Sequence, residues 1–158
     1  MTTRELMLVF CILVLDQCTK LAASAWLIYG VPVTLSPLFS LTLLHNEGAA
    51  FSFLADAGGW QRVLFIGLAV GVVIYALRAM RNLAPGWTRW GLVFIVPGAI
   101  GNGIDRLVFG YVVDFVHLHW QGWSFPAFNI ADVAITIAAC ALLLGMWNDA
   151  RHRTEVQN

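Results

Sequence analysis

The stretch Leu6–Ile28, LMLVFCILVLDQCTKLAASAWLI, is an apolar run broken in its outer half by Asp16, Gln17, Thr19 and Lys20. Crossing roughly 30 Å of hydrocarbon takes about 20 helical residues at 1.5 Å each, and this run is long enough. Three more runs of this kind follow, at about Val63–Ala79, Trp90–Phe109 and Ile130–Trp147. Backbone polar groups cannot stay unpaired in lipid, so each run is read as a helix. The expected fold is therefore an all-α membrane protein of four transmembrane helices (residues about 6–28, 63–79, 90–109 and 130–147), forming a single membrane-embedded domain over residues 1–158.

Composition agrees with that reading. Charged residues make up 11% of the chain, less than half the usual share of about 25% in soluble domains, so an ordinary solvated surface cannot be built. Nine Lys+Arg balance nine Asp+Glu and form no basic block, which sets nucleic-acid binding aside. Cys11, Cys18 and Cys140 form no CxxC pair and lie in apolar stretches, where they read as small core residues. Arg4 ahead of the first run and Ala23-Ser24-Ala25 behind it resemble a cleaved signal peptide. Asp16, Gln17 and Lys20 make the segment between them too polar and too long, so the span is read as retained. A lipoprotein signal ending at Cys18 fits poorly as well, because Asp16 and Gln17 stand where small residues are expected.

Orientation follows from the basic residues. Arg4, the cluster Arg78, Arg81 and Arg89, and the pair Arg151 and Arg153 put both termini and the middle loop in the cytoplasm. The seven tryptophans, at positions 26, 60, 87, 90, 120, 123 and 147, fall near span ends or in the outer loops, as interfacial anchors do. In the first outer loop, Phe39, Leu41 and Leu43 alternate with Ser40, Thr42 and Leu44, interrupted by Pro32 and Pro37, a pattern for short strands or a hairpin at the membrane surface. The aromatic segment Val112–Phe128 is placed in the same interface.

Counting helix rise from the cytoplasmic markers puts Asp16 and Lys20 roughly 18–24 Å outward, Asp105 roughly 24 Å and Asp132 roughly 28 Å. Ionisable residues at such depth cost a few kcal/mol and usually face a protein interior or an aqueous cavity, where function is the default hypothesis. Asp16 and Lys20 are spaced to pair on one helical face, either as a structural clasp or as part of a site. Pro97 and Gly98, Gly101 and Gly103 loosen span three and admit close helix packing just before Asp105 and Arg106. Asn102 and Arg106 can present an amide and a cation to one cavity. Gly67 and Gly71 in span two match a small-xxx-small packing face.

Asp114 and Asp132 differ in kind, because no Lys or Arg close in sequence neutralises either. Asp132 alone reads equally well as a helix N-terminal residue held by the dipole. Folded side by side, the two carboxylates would share one proton: the ionised member takes a proton from water while the protonated member polarises a carbonyl, the chemistry of amide cleavage. A metal alternative uses His117 and His119, with Asp114 or His45 completing the set, but no HExxH helix accompanies them. No GxSxG elbow or P-loop is present, and Cys18 has no histidine in its span, so nucleophilic catalysis is not favoured and no cofactor is expected.

Five blocks in order carry a resemblance: Asp16-Gln17-Cys18-Thr19-Lys20, Asn46-Glu47-Gly48-Ala49-Ala50-Phe51, Gly98-Ala99-Ile100-Gly101-Asn102-Gly103-Ile104-Asp105-Arg106, Val112-Val113-Asp114-Phe115 and Phe128-Asn129-Ile130-Ala131-Asp132. Together they resemble the lipoprotein signal peptidases, or signal peptidase II, an aspartic peptidase family of the bacterial inner membrane. Pro97 stands where that family often has another glycine. The resemblance implies a dyad of Asp114 and Asp132 that cuts diacylglyceryl-modified prolipoproteins just before the lipidated cysteine. It implies that Asn46, Gly48, Asn102, Asp105, Arg106, Asn129 and Ala131 line or support the site and that Asp16 and Lys20 brace it. A small extracytoplasmic β-element, a mobile surface helix, contact with membrane lipid and action as a monomer are also expected. The rival reading is a small proton-coupled transporter or channel subunit, which requires charges along a path across the whole membrane. A non-catalytic scaffold would explain the packing glycines but not Asp114 and Asp132.

Overall fold

The computed structural model describes residues 1–48 and 59–156. Ala49, Ala50 and Phe51 of the second sequence block lie outside the described residues. Four helices dominate: α1 (Thr3–Trp26), α2 (Trp60–Ala79), α3 (Trp87–Val108) and α4 (Ile130–Val156). All are long and apolar enough to cross a membrane, α4 over Ile130–Arg151. Among the described residues there is no further helix.

Apolar runs locate the helices but not their ends. The first helix begins at Thr3 because Thr2 and Glu5 form a capping box: the Thr2 amide donates to Glu5 Oε2 at 2.7 Å and the Glu5 amide to Thr2 Oγ1 at 3.3 Å. The last helix runs well past Trp147 because Asn148-Asp149-Ala150-Arg151 holds no Gly or Pro to stop it. Arg89, read as a loop cation, sits in the first turn of α3. Its guanidinium binds Glu5 Oε1 at 2.6 Å and the carbonyls of Met80 and Leu83 at 2.8 and 2.7 Å. That one side chain ties together the start of α1, the end of α2 and the start of α3.

The central helix is α3, against which the other three pack. Along its seam with α4, a Cβ on Gly98 would stand 2.7 Å from the Ala131 carbonyl, one on Gly91 2.7 Å from Leu142, and one on Gly145 would strike Thr88. These glycines let the two backbones approach closely, which is how helices associate in lipid. Pro97 lies buried inside the same unbroken helix. Two expectations fail here. Among the described residues, Gly67 and Gly71 have nothing within 4 Å of their would-be Cβ atoms, so this glycine pair is not a packing face. All three cysteines are exposed on the protein surface rather than in its core. Both errors have one cause: within a membrane, apolar residues are as content against lipid as against protein, so hydrophobicity does not report burial.

The outer loops form an antiparallel sheet, β1 (Val33–Ser36), β2 (Phe39–Asn46), β3 (Val112–Trp120) and β4 (Trp123–Ser124), in that spatial order. The alternating residues of β2 pair with β1 through a turn at Pro37 and Leu38. Gln121 and Gly122, both with positive φ (45° and 85°), make the tight turn between β3 and β4. Strands β2 and β3 are separated in sequence by two membrane helices, so their pairing stitches the first outer loop to the second. The register shifts between Leu41 and Leu44, after which Leu44 faces Asp114 and Asn46 faces Val112. This irregularity sets Asn46 diagonally beside Asp114 on one face of the sheet. The other face packs Leu43, Val113 and Phe115 with Ala23 of α1 into a small outer core. A second core, built from Val9, Ala76, Met80, Leu92, Val93 and Val96, fills the half of the helical bundle away from the sheet.

Candidate active site

Between α2 and α4, over the surface of α3, runs a cavity of about 950 Å³ that is roofed by the sheet. Its walls are largely apolar, with Phe65, Leu68 and Val72 on one side and Val133 and Ile137 on the other. At the outer end, Asn46, Asn102, Arg106, Asp114 and Asp132 converge on it. Asp114 arrives on β3 and is buried; Asp132 arrives in the first turn of α4 and is half-buried.

One residue is hydrogen bonded to both carboxylates. Asn129 Nδ2 donates to Asp114 Oδ1 at 2.7 Å, and the Asn129 amide donates to Asp132 Oδ2 at 3.2 Å. In return the Asp132 amide donates to Asn129 Oδ1 at 2.9 Å, closing a reciprocal cap at the start of α4. Asp132 is thus a helix N-terminal residue and a cavity residue at once, its Oδ1 remaining for Asn102 Nδ2 at 2.8 Å. Asn46 Nδ2 donates to Asp114 Oδ2 at 3.1 Å and is itself fixed by the Gly48 amide at 3.0 Å. Burial, with the nearby Asp132 charge, raises Asp114 from the usual carboxylate range to about 7, although the amides of Asn46 and Asn129 pull the other way.

Behind this pair lies a second, closed layer. Lys20 Nζ sits 2.9 Å from Asp16 Oδ2 and 2.9 Å from Asp105 Oδ2, and donates to Asn102 Oδ1 at 3.0 Å. Asp16, Lys20 and Asp105 are all buried. Asp16 Oδ1 accepts the Ala131 amide at 2.8 Å, which fixes the start of α4, and Asp105 Oδ2 accepts the Val113 amide at 3.1 Å, which fixes the residue before Asp114. Gly101 leaves room for this layer, since a Cβ there would lie 2.5 Å from Asp16 Oδ2. The expected Asp16–Lys20 pair is present, but it holds the two elements that carry Asp114 and Asp132 rather than merely neutralising itself. Gln17, to which the sequence assigned no part, bridges Asp16 Oδ2 and Asp105 Oδ1 at 3.1 Å each. Its polarity within an apolar span was the available signal.

Arg106 stretches along the cavity wall. Its Nη2 donates to the Gly48 carbonyl at 2.6 Å, its Nη1 to the Asn102 carbonyl at 3.3 Å, and its guanidinium carbon lies 4.8 Å from the Phe65 ring centroid. The buried Nε has no hydrogen-bond partner among the described residues.

His117 and His119 are neighbours, with ring centroids 5.7 Å apart, and each is engaged by strand hydroxyls. His117 contacts Thr42 Oγ1 through Nδ1 and Ser124 Oγ through Nε2, and His119 contacts Ser40 Oγ. His45 stacks on Tyr111 with ring centroids 3.9 Å apart. Among the described residues, no three His, Cys, Asp or Glu side chains are placed to hold a metal ion.

Comparison with known proteins agrees over nearly the full length. Residues 8–148 match the family described as Signal peptidase (SPase) II. A lipoprotein signal peptidase of Acinetobacter baylyi (strain ATCC 33305 / BD413 / ADP1) is 49% identical over 138 residues, 84% of this chain and 75% of that protein. One from Neisseria meningitidis serogroup C (strain 053442) is 46% identical over 144 residues, 90% of this chain and 88% of its own. Two solved structures described as bacterial membrane enzymes are also similar. One has a TM-score of 0.83 at 25% identity, covering 93% of this chain and 89% of that one. The other has a TM-score of 0.76 at 26% identity, covering 90% and 92%.

Proposed function

The chain belongs to the signal peptidase II family, and we propose that Asp114 and Asp132 are its catalytic dyad, cutting diacylglyceryl-modified prolipoproteins just before the lipidated cysteine. It is a multi-pass bacterial membrane peptidase that removes signal peptides from prolipoproteins. The observation that carries the dyad is the shared partner: Asn129 hydrogen bonds to both carboxylates at the outer end of one cavity.

The dyad works with one proton between its two members. The ionised carboxylate takes a proton from a water molecule as that water attacks the scissile carbonyl carbon, and the protonated carboxyl gives its proton to the carbonyl oxygen. The resulting gem-diol collapses as the amide nitrogen is protonated and the C–N bond breaks. The products are a signal peptide ending in a new carboxylate and a lipidated cysteine with a free amine. Asn46, Asn102 and Asn129 aim the carboxylates, and Gly48 sets Asn46. Lys20, Asp16 and Asp105 hold Ala131 and Val113 so that the two aspartates cannot drift apart. Preorganisation of this kind replaces solvent reorganisation during reaction.

The apolar walls between α2 and α4 suit the apolar core of a signal peptide, while acyl chains stay in lipid and anchor the scissile bond at the bilayer edge. Both termini then lie in the cytoplasm and the dyad faces the periplasmic side of the inner membrane, with the chain acting as one membrane-embedded unit and as a monomer. Transport finds no support in the comparisons. The Glu5–Arg89 pair at the far end of the helices is joined to the Met80 and Leu83 carbonyls rather than to the dyad. Purified protein incubated with a matched pair of precursors tests the substrate reading: the diacylglyceryl-modified form should be cut and the unmodified form spared. Equal cleavage of both would remove the lipid from the recognition.

A further inference from the structure

Helix α2 has two lined faces. Phe65, Leu68 and Val72 look into the catalytic cavity, whereas Ile66, Val70 and Val73 line a separate groove against Ile100, Ile104 and Leu107 of α3. The separation is made by the α2–α3 crossing, where a Cβ on Gly103 would meet Ala69 at 3.5 Å. This second groove is about 220 Å³ and entirely apolar. Arg62 lies one turn outward of Ile66 on the same helical face, exposed, beside the interfacial Trp60. Its Nη2 donates to the Leu107 carbonyl at 2.9 Å, which fixes the guanidinium over the groove mouth. Lys20 is buried in its ion pairs and Arg106 lines the catalytic cavity, so among the described residues Arg62 is the exposed cation at the outer end.

We propose that this groove binds a glycerophospholipid of the outer leaflet, its phosphate on Arg62 and one acyl chain along Ile66, Val70 and Val73. The dimensions agree: Arg62 to Ile74, the inner end of the groove, is about 18 Å of helix, close to one leaflet of a hydrocarbon core about 30 Å thick. Charge agrees as well, since a guanidinium already oriented by a carbonyl meets phosphate oxygens with its remaining N–H groups. A diacylglycerol, which has no phosphate, satisfies the groove but not the arginine. This lipid is distinct from the substrate, and its site shares no catalytic group with the dyad.

The test uses the full chain, purified and delipidated in a neutral detergent, with binding followed by native mass spectrometry. Phosphatidylglycerol should bind the unaltered protein about tenfold more tightly than diacylglycerol of the same chains, because charge-assisted hydrogen bonds to phosphate are lost in the latter. Glycerol 3-phosphate alone should not bind. Arg62→Gln should remove the preference, Arg62→Lys should keep most of it, and Val70→Trp, which fills this groove alone, should abolish binding. Equal affinity for diacylglycerol, binding of the bare headgroup, or unchanged phospholipid binding in Val70→Trp would each overturn the proposal. A dimer that Val70→Trp splits while phospholipid binding persists would assign the groove to a second copy and overturn it too.

Discussion

Asn46 donates to Asp114 Oδ2 from 3.1 Å, a bond that favours the ionised carboxylate. Burial outweighs it and leaves Asp114 at about 7, so the proton the mechanism needs departs as pH rises through that region and cleavage should fall on the alkaline side. Asn46→Ala removes a donor that lowers Asp114, so the alkaline limb of the pH–rate profile should move to higher pH, by roughly one unit if the bond contributes about 1.5 kcal/mol. A limb that stays in place or moves down would separate Asp114 from the titration. Lys20 poses a different question, because its ammonium serves Asp16, Asp105 and Asn102 together. Lys20→Ala leaves two buried carboxylates facing each other, and the expected loss is about 3–5 kcal/mol of stability, read as poor accumulation and a lowered Tm in detergent. Normal accumulation with lost turnover would give Lys20 a direct part in the chemistry. The Asp16–Lys20 pair was legible because four-residue spacing on a helix is a local fact. Asn129 as the link between the carboxylates was not, because Asp132 is its near neighbour at the start of α4 but Asp114 comes from β3, and only the fold brings it there.

Glycines at the level of elements separate packing from composition. Gly98→Ala would drive a Cβ into the Ala131 carbonyl at 2.7 Å and into Ile135, displacing the start of α4 on which Asp132 rides. Both Tm and cleavage should drop. Gly67→Ala and Gly71→Ala meet open space and add helix propensity, so each should be neutral or stabilise by up to about 1 kcal/mol. The reverse order of effects, measured by thermal unfolding, would contradict the packing of α3 on α4. The four helices were legible because twenty-residue apolar runs have few other folds in lipid. Their ends were set by polar detail instead, the Thr2–Glu5 cap and the grip of Arg89 on Glu5. Strand β2 was legible from alternation, whereas β3 was read only as interfacial, since Val112–Trp120 shows its register solely through pairing with β2.

At the scale of the whole molecule, most of the buried charge among the described residues lies at one end: Asp16, Lys20, Asp105 and Asp114 are buried within one network that also reaches Asp132, while buried Glu5 stands at the other end with Arg89. On the proposed orientation the end with the network is periplasmic, so a reporter joined near Gly122 should be extracytoplasmic and one near Ala84 cytoplasmic. The opposite pattern would turn the site toward the cytoplasm. Depth counting brought the charges to one level from sequence alone, but which of them face a cavity and which face each other depended on α3 lying between α2 and α4. The most direct measurement is cleavage of a diacylglyceryl-modified prolipoprotein by purified Asp114→Asn and Asp132→Asn proteins, checked by mass spectrometry against deamidation. Each amide keeps the size of its side chain but can neither hold the shared proton nor act as the base. Both variants should accumulate, bind precursor and lose cleavage by about a thousandfold or more, with the double variant hardly worse because the pair acts as a unit. Substantial cleavage by either single variant would contradict the dyad.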